Sequence, residues 1–227
     1  MCNLYSNTMP VEAMRRLFGI TAGPSALGNQ PPLPAIFPRY EAPVLRPDRS
    51  GARELVRMHW GFLLPQTSQK TGKPIQPKAV TNARDDKVAA SPFWRGSFEH
   101  RRCLIPATSF AEPKGRNPAT YYWFGLVGAD ERPPFAFAGL WHTFHGHYHG
   151  EAVELDTYTI VTTTPNALVR PVHPTRMPVI LDPDDYAPWL TGPGEAARTL
   201  LRPFPAERMR IVRTGVGVTE DPEEVDR

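Results

Sequence analysis

The chain has 227 residues, of which 41% are hydrophobic and 10% aromatic, enough apolar mass for one generous ordered domain. No apolar run approaches a membrane span and the first residues hold no apolar leader segment, so a cytoplasmic location is expected rather than a membrane one. The last eight residues hold five acids against one arginine, which divides the net charge of +3 into +7 over residues 1–219 and −4 over residues 220–227.

The expected organisation is a single domain over residues 1–219 with an acidic, disordered tail over 220–227. A first helix is expected after Thr8 as cap, with Pro10 in its opening turn and Met14, Leu17 and Phe18 on one face. Gly23 to Pro47 is proline-rich without periodicity and reads as a wrapped, loop-like stretch. Strands are expected over Leu55–Phe62, Leu104–Ala111 (with Pro106 at an edge or bulge), Tyr121–Val127, Phe135–Trp141, Tyr158–Thr163 and Met177–Leu181. The run Trp141–Gly150 reads as a hairpin loop, and Asp184–Leu190 and Glu195–Leu201 read as short helices. This pattern predicts an α+β fold in which an antiparallel, barrel-like or sandwiched β-sheet core carries short peripheral helices.

The basic residues are 21 Arg and five Lys, a bias that suits phosphate because the guanidinium donates two parallel hydrogen bonds, although a GC-rich genome gives the same bias. Only Cys2 and Cys103 are available for thiol chemistry, too few for a disulfide framework, and no metal-ligand spacing surrounds either. A bridge between the two is the less favoured use in a reducing cytosol. His142, His145, His147 and His149 sit close together, but no carboxylate or Cys pattern accompanies them, so no metal or other cofactor is expected.

Cys2 occupies an informative position. Trimming of Met1 would leave it as the mature N-terminus, with an α-amine titrating at about pH 8 and a thiol at about 8.5 on adjacent carbons. Such an aminothiol attacks a carbonyl with its amine and closes a five-membered thiazolidine with its sulfur. Four other segments supply candidate partners. In Val80–Arg84, Asn82 and Arg84 point the same way if the segment is extended, one toward a carbonyl or hydroxyl and the other toward a phosphate. Glu112 ends a mostly apolar strand, where burial would raise its pKa toward that of a neutral-pH general acid; the alternative is an exposed Glu facing Lys114. His173 and Arg176 precede an apolar strand as a possible proton shuttle and phosphate ligand. Trp60, beside Gly61, is a stacking surface for a base or an ordinary core residue.

Cys2, Trp60-Gly61, Asn82-Ala83-Arg84, Arg102-Cys103-Leu104-Ile105-Pro106-Ala107 leading to Glu112, Phe137-Ala138-Gly139-Leu140-Trp141, Ile160-Val161-Thr162-Thr163 and Arg176-Met177-Pro178-Val179-Ile180-Leu181 follow one another in this order. The ordered set resembles the SRAP (SOS response-associated peptidase) family, which shields abasic sites in single-stranded DNA, and the similarity runs from Cys2 to about Leu190. The resemblance implies a covalent thiazolidine between Cys2 and the ring-opened abasic aldehyde, with Asn82 orienting the Cys2 amine or the sugar, Glu112 as general acid/base and His173 assisting proton transfer. It further implies that Arg84 and Arg176 hold phosphates, that Trp60 stacks near the lesion, and that the chain removes its own Met1. The expected partner is single-stranded DNA containing abasic sites, and a monomer is expected. Two other readings stay open: an N-terminal-nucleophile cysteine hydrolase acting on amides, and a non-catalytic DNA-binding module.

Overall fold

The computed structural model describes residues 2–20 and 27–222. Its elements are, in chain order, β1 (Tyr5–Asn7), α1 (Val11–Leu17), β2 (Leu33–Ile36), β3 (Glu41–Pro47), β4 (Arg53–Trp60), β5 (Phe62–Thr67), β6 (Pro74–Val80), β7 (Asn82–Arg84), α2 (Pro92–His100), β8 (Arg102–Ala107) and β9 (Ser109–Lys114). There follow β10 (Thr120–Leu126), β11 (Phe135–Tyr148), β12 (Glu151–Thr163), β13 (Met177–Pro178), β14 (Ile180–Leu181), α3 (Tyr186–Thr191), α4 (Gly194–Thr199) and β15 (Met209–Val216).

Strands β12, β4, β3, β8 and β11 are hydrogen-bonded in that order, and β11 pairs back onto β12, so the sheet closes into a small barrel. β7 joins it alongside β12, running parallel, and β13 and β14 pair with β12 and β11. A second sheet has the order β15-β10-β9-β1-β2, and β5 and β6 form a separate hairpin. The fold is therefore mostly β with short helices around it, as the sequence pattern predicts.

Alternate residues of the barrel strands serve two apolar clusters. Val44, Trp60, Ile105, Phe137 and Ile160 pack with Tyr5, Phe110 and Phe124 of the second sheet. Leu45, Leu104, Ala138 and Val161 pack instead against Met14 of α1, Trp94 and Phe98 of α2, and Tyr186 and Trp189 of α3. Strands covered on both faces read as continuous apolar runs, and this is why residues 102–107 and 135–140 show no alternation.

Several expected elements differ in extent. Leu55–Phe62 is two strands, because Gly61 takes φ +117° and a Cβ there would lie 2.8 Å from that of Ala79, which turns the chain out of the barrel into the β5–β6 hairpin. Leu104–Ala111 is also two strands in different sheets; the break is at Thr108, whose N–H donates to the Ser6 carbonyl at 2.8 Å. The expected loop over Trp141–Gly150 is strand as far as Tyr148, and the turn lies at His149-Gly150, both at positive φ. Within the stretch expected to be loop-like, β2 and β3 are strands, and β3 accommodates Pro43 because it meets β8 at a single register pair, Leu45 opposite Leu104; residues 21–26 of that stretch lie outside the described residues. Helix α1 is preceded by Pro10 rather than capped by Thr8. The tail expected to be disordered is ordered at least to Asp221, which is 1% exposed; residues 223–227 lie outside the described ones. Among the described residues no helix is long and apolar enough to cross a membrane.

Candidate active site around Cys2

The chain reaches Cys2 through strand pairing. Tyr5 and Ser6 of β1 lie opposite Phe110 and Ser109 of β9, and the Ala111 N–H donates to the Leu4 carbonyl at 3.0 Å. That antiparallel register runs Cys2 back alongside Glu112. The Cys2 side chain is fully buried, its thiol donating to the Leu4 carbonyl at 3.6 Å. Burial, and next the negative charge of Glu112, raise the thiol well above its ordinary pKa, so the thiolate is scarce in this state.

Asn82 reaches the same point from the other sheet. As the first residue of β7, set opposite Ile160 of β12, it donates Nδ2 to the Cys2 carbonyl at 2.8 Å and to Thr81 Oγ1 at 2.9 Å. Thr81 Oγ1 in turn donates to Asn3 Oδ1 at 3.1 Å, so residues 81 and 82 hold residues 2 and 3 together. Thr81 and Asn3 were not among the residues the sequence singles out, since hydroxyl and amide side chains in loops carry no distinctive pattern.

Glu112 lies on β9 opposite Tyr122 of β10 and is fully buried, and burial pushes its carboxyl up to about 7. It is not the exposed strand-end Glu that the local sequence also allowed. His173 is half-buried; its Nδ1 accepts the Arg176 N–H at 3.2 Å, which leaves the proton of the neutral ring on Nε2. Burial lowers its pKa and keeps it neutral at physiological pH. Glu112 and His173 both line an open cleft of about 640 Å³ whose wall also includes Asn3, Phe37, Arg39 and Lys78. Cys2, Asn82, Glu112 and His173 are thereby brought to one place from four separate parts of the chain.

The three residues expected to grip DNA are placed differently. Trp60 has no exposed surface: it stacks on Tyr158 at 6.3 Å and 8°, meets Tyr5 edge-on at 5.1 Å, and donates Nε1 to the Thr81 carbonyl at 3.0 Å. It is a core residue that braces Thr81, not a platform for a base, because β4 directs it into the barrel. Arg84 is exposed and forks onto Asp86 at 2.9 and 2.7 Å. Arg176 pairs with Asp85 at 2.7 Å and with the Thr162 carbonyl. Neither arginine lines the cleft, whereas Arg39 and Lys78 do. The available signal for Lys78 was the absence of any acid between Glu54 and Asp85. Among the described residues no cluster of His, Cys, Asp or Glu is arranged to hold a metal, and both cysteines are free.

A model of the SOS response associated peptidase (SRAP) family matches residues 1–220. The chain is 35% identical over 162 residues to the abasic site processing protein YoqW of Bacillus subtilis, and the match covers 68% of this chain and 66% of that protein. It is 33% identical over 159 residues to the abasic site processing protein YoaM of the same organism, again covering 68% of this chain and 66% of the relative. The chain therefore spans just under two thirds of these relatives' length. Among solved structures, a protein from Bordetella bronchiseptica superposes with a TM-score of 0.70 at 28% identity, covering 95% of this chain and 99% of the other. A Bacteroides thetaiotaomicron protein at 20% identity shares the fold with a TM-score of 0.69, covering 95% of this chain and 91% of the other.

Proposed function

The chain belongs to the SOS response associated peptidase family, and from that premise we propose that it binds single-stranded DNA at an abasic site and forms a covalent thiazolidine through Cys2. The observation that carries this reading is the hydrogen bond from Asn82 to the Cys2 carbonyl, which holds residue 2 near the buried carboxyl of Glu112, itself on the wall of a solvent-open cleft, where loss of Met1 would create an aminothiol. The names of the relatives YoqW and YoaM, both abasic site processing proteins, point to the same lesion.

The chemistry begins with loss of Met1, since an amide nitrogen at residue 2 does not attack an aldehyde. Removal by the protein itself is part of the proposal. Glu112, near half-protonated at neutral pH, donates to the ring oxygen as the deoxyribose opens to its aldehyde. The carboxylate takes back the proton of the anomeric hydroxyl as the ring opens. The Cys2 amine then adds to the aldehyde carbon, and the carbinolamine loses its hydroxyl as water with that proton from Glu112. The nitrogen returns a proton to the carboxylate, leaving an imine. The Cys2 sulfur then bonds to the imine carbon while its proton passes to the imine nitrogen, which closes the ring. Neutral His173, whose ring lines the cleft with its Nδ1 accepting from the Arg176 N–H, assists proton transfer at the sugar oxygen. A thiol raised by burial suits this order, in which the amine attacks first, better than it suits a hydrolase that needs a standing thiolate.

Arg39 and Lys78 meet phosphates at the cleft wall, and Arg84 and Arg176 join them only by giving up Asp86 and Asp85. Covalent capture shields the site from cleavage during DNA repair, and the protein acts as a soluble monomer. Incubation with single-stranded DNA bearing one abasic site, followed by a denaturing gel, is expected to give a shifted band that Cys2→Ala abolishes. Salt-sensitive binding with no covalent band in Met-free protein would instead identify a binding module, and amide turnover without DNA a hydrolase.

A further inference from the structure

After β15 the chain does not leave the molecule. Residues 217–222 cross the second sheet from its β15 edge to its β2 edge. The Gly217 N–H donates to the Ala119 carbonyl at 3.1 Å, the Val218 carbonyl accepts from Trp123 Nε1 at 3.0 Å, and the Asp221 N–H donates to the Pro34 carbonyl at 2.9 Å. The strap ends in a buried latch. The Asp221 carbonyl accepts from Ser6 Oγ at 3.0 Å, and Oδ2 accepts from Ser109 Oγ at 2.5 Å. Arg132 closes the other side, donating Nε to Oδ2 and Nη2 to Oδ1, both at 2.9 Å.

Ser6 and Ser109 are register partners across β1 and β9. Cys2 lies four residues before one and Glu112 three residues after the other, and the antiparallel pairing puts both on the same side of the latch. That ladder is short, with only two register pairs. Asp221 bridges the two strands, taking β1 through its main-chain carbonyl and β9 through its buried carboxylate, which also holds Arg132 by charge-assisted hydrogen bonds. Further along the strap, Val218 packs into a small apolar cluster with Leu4, Ala111, Phe37 and Tyr121, four residues that also line the cleft. The family match ends at residue 220, one short of the latch.

We propose that residues 217–222 are a positioning strap for the Cys2 site and that Asp221 is the positioning residue that fixes β1, and with it Cys2, against the Glu112 strand. The consequence for catalysis rests on the function proposed above; the consequence for Cys2 itself does not.

Native-state labelling of the full chain with N-ethylmaleimide, read by peptide mass spectrometry, separates the strap from general stability. Cys2 lies just before β1, beyond the latch, whereas Cys103 is equally buried on β8, to which none of the strap's hydrogen bonds described above runs. With Asp221→Ala, Cys2 is expected to label at least about fivefold faster than in the parent chain while Cys103 changes less than about twofold, because loss of a buried hydrogen-bonded carboxylate opens the elements it holds. Asp221→Asn, which keeps the acceptor oxygen, is expected to recover most of the protection, and Ser109→Ala, a milder break, to raise Cys2 labelling partway. Equal acceleration at both cysteines, or no acceleration in either Asp221→Ala or Ser109→Ala, overturns the proposal. On abasic single-stranded DNA the Asp221→Ala variant is expected to lose crosslinking rate at saturating DNA with its affinity for intact single strands unchanged. Failure of the parent chain to crosslink would count against the proposed function and leave the labelling result standing.

Discussion

Glu112→Gln removes one proton-binding site from the buried wall of the cleft and keeps the shape of the side chain. In the folded chain burial raises this carboxyl from its ordinary 4.5 to about 7, so between those limits the folded state holds a proton that the unfolded state has released. Stability is then greatest below the unfolded value, where both states are protonated, and falls as pH rises through the folded value, where the buried carboxyl ionises. The difference between 4.5 and about 7 corresponds to roughly 3 kcal/mol. In a chain of this size each kcal/mol moves Tm by about 2–4 °C, so Glu112→Gln is expected to melt roughly 6–12 °C above the parent chain near pH 8. That advantage is expected to shrink through the window and to be nearly constant below about pH 4.5. Paired thermal melts across this range measure it, because titrating groups that do not interact with Glu112 cancel in the difference. An advantage that does not change with pH, or a variant less stable than the parent above neutrality, would refute the assignment of Glu112 as a buried carboxyl with a raised pKa. The same variant is expected to lose covalent capture, since glutamine supplies no proton.

Asn82→Ala leaves the Cys2 carbonyl without its donor, and is expected to slow crosslinking about tenfold or more with affinity for single-stranded DNA within about twofold, measured by single-turnover gels and fluorescence anisotropy. Trp60→Ala is expected to cost about 3–5 kcal/mol of stability in urea melts, as a buried barrel residue does, whereas a base-stacking residue would lose DNA affinity with little change in stability. Removing Arg39 or Lys78 is expected to lower the slope of log affinity against log salt by about 0.7 for each lost phosphate contact. Arg84→Ala is expected to lower it less, because Asp86 already neutralises that guanidinium.

Sequence and structure agree most closely where chemistry constrains residue type and order. Cys2 at the second position, the Asn82-Ala83-Arg84 triplet, and Glu112 closing an apolar run were legible as partners because their order matches one family. The burial of Glu112 was not legible: it depends on β9 being sandwiched between β1 and β10, and β1 is three residues of unremarkable sequence. Trp60 was ambiguous for a related reason, since only the closure of the barrel decides which way β4 faces. Arg84 and Arg176 were visible as cations, but their pairing with Asp86 and Asp85 is a matter of side-chain geometry. The strap escaped notice because an acidic, proline-containing end has the composition of a tail, and nothing local reveals that one of its carboxylates meets Ser109 and Arg132.

The central claim is that the amine and the sulfur of Cys2 both bond to the lesion, and Cys2→Ser separates the two. Serine at residue 2 keeps the α-amine after Met1 is lost but cannot close a thiazolidine. Each protein, its Met1 status set by intact mass, is mixed with single-stranded DNA carrying one abasic site and run on a denaturing gel with and without borohydride. The expected result is a band from the parent chain that survives without reductant, and a band from Cys2→Ser that survives only when borohydride traps the imine. A Met-free parent chain with no band in the absence of reductant, or a Cys2→Ser band equally stable without it, would contradict the claim.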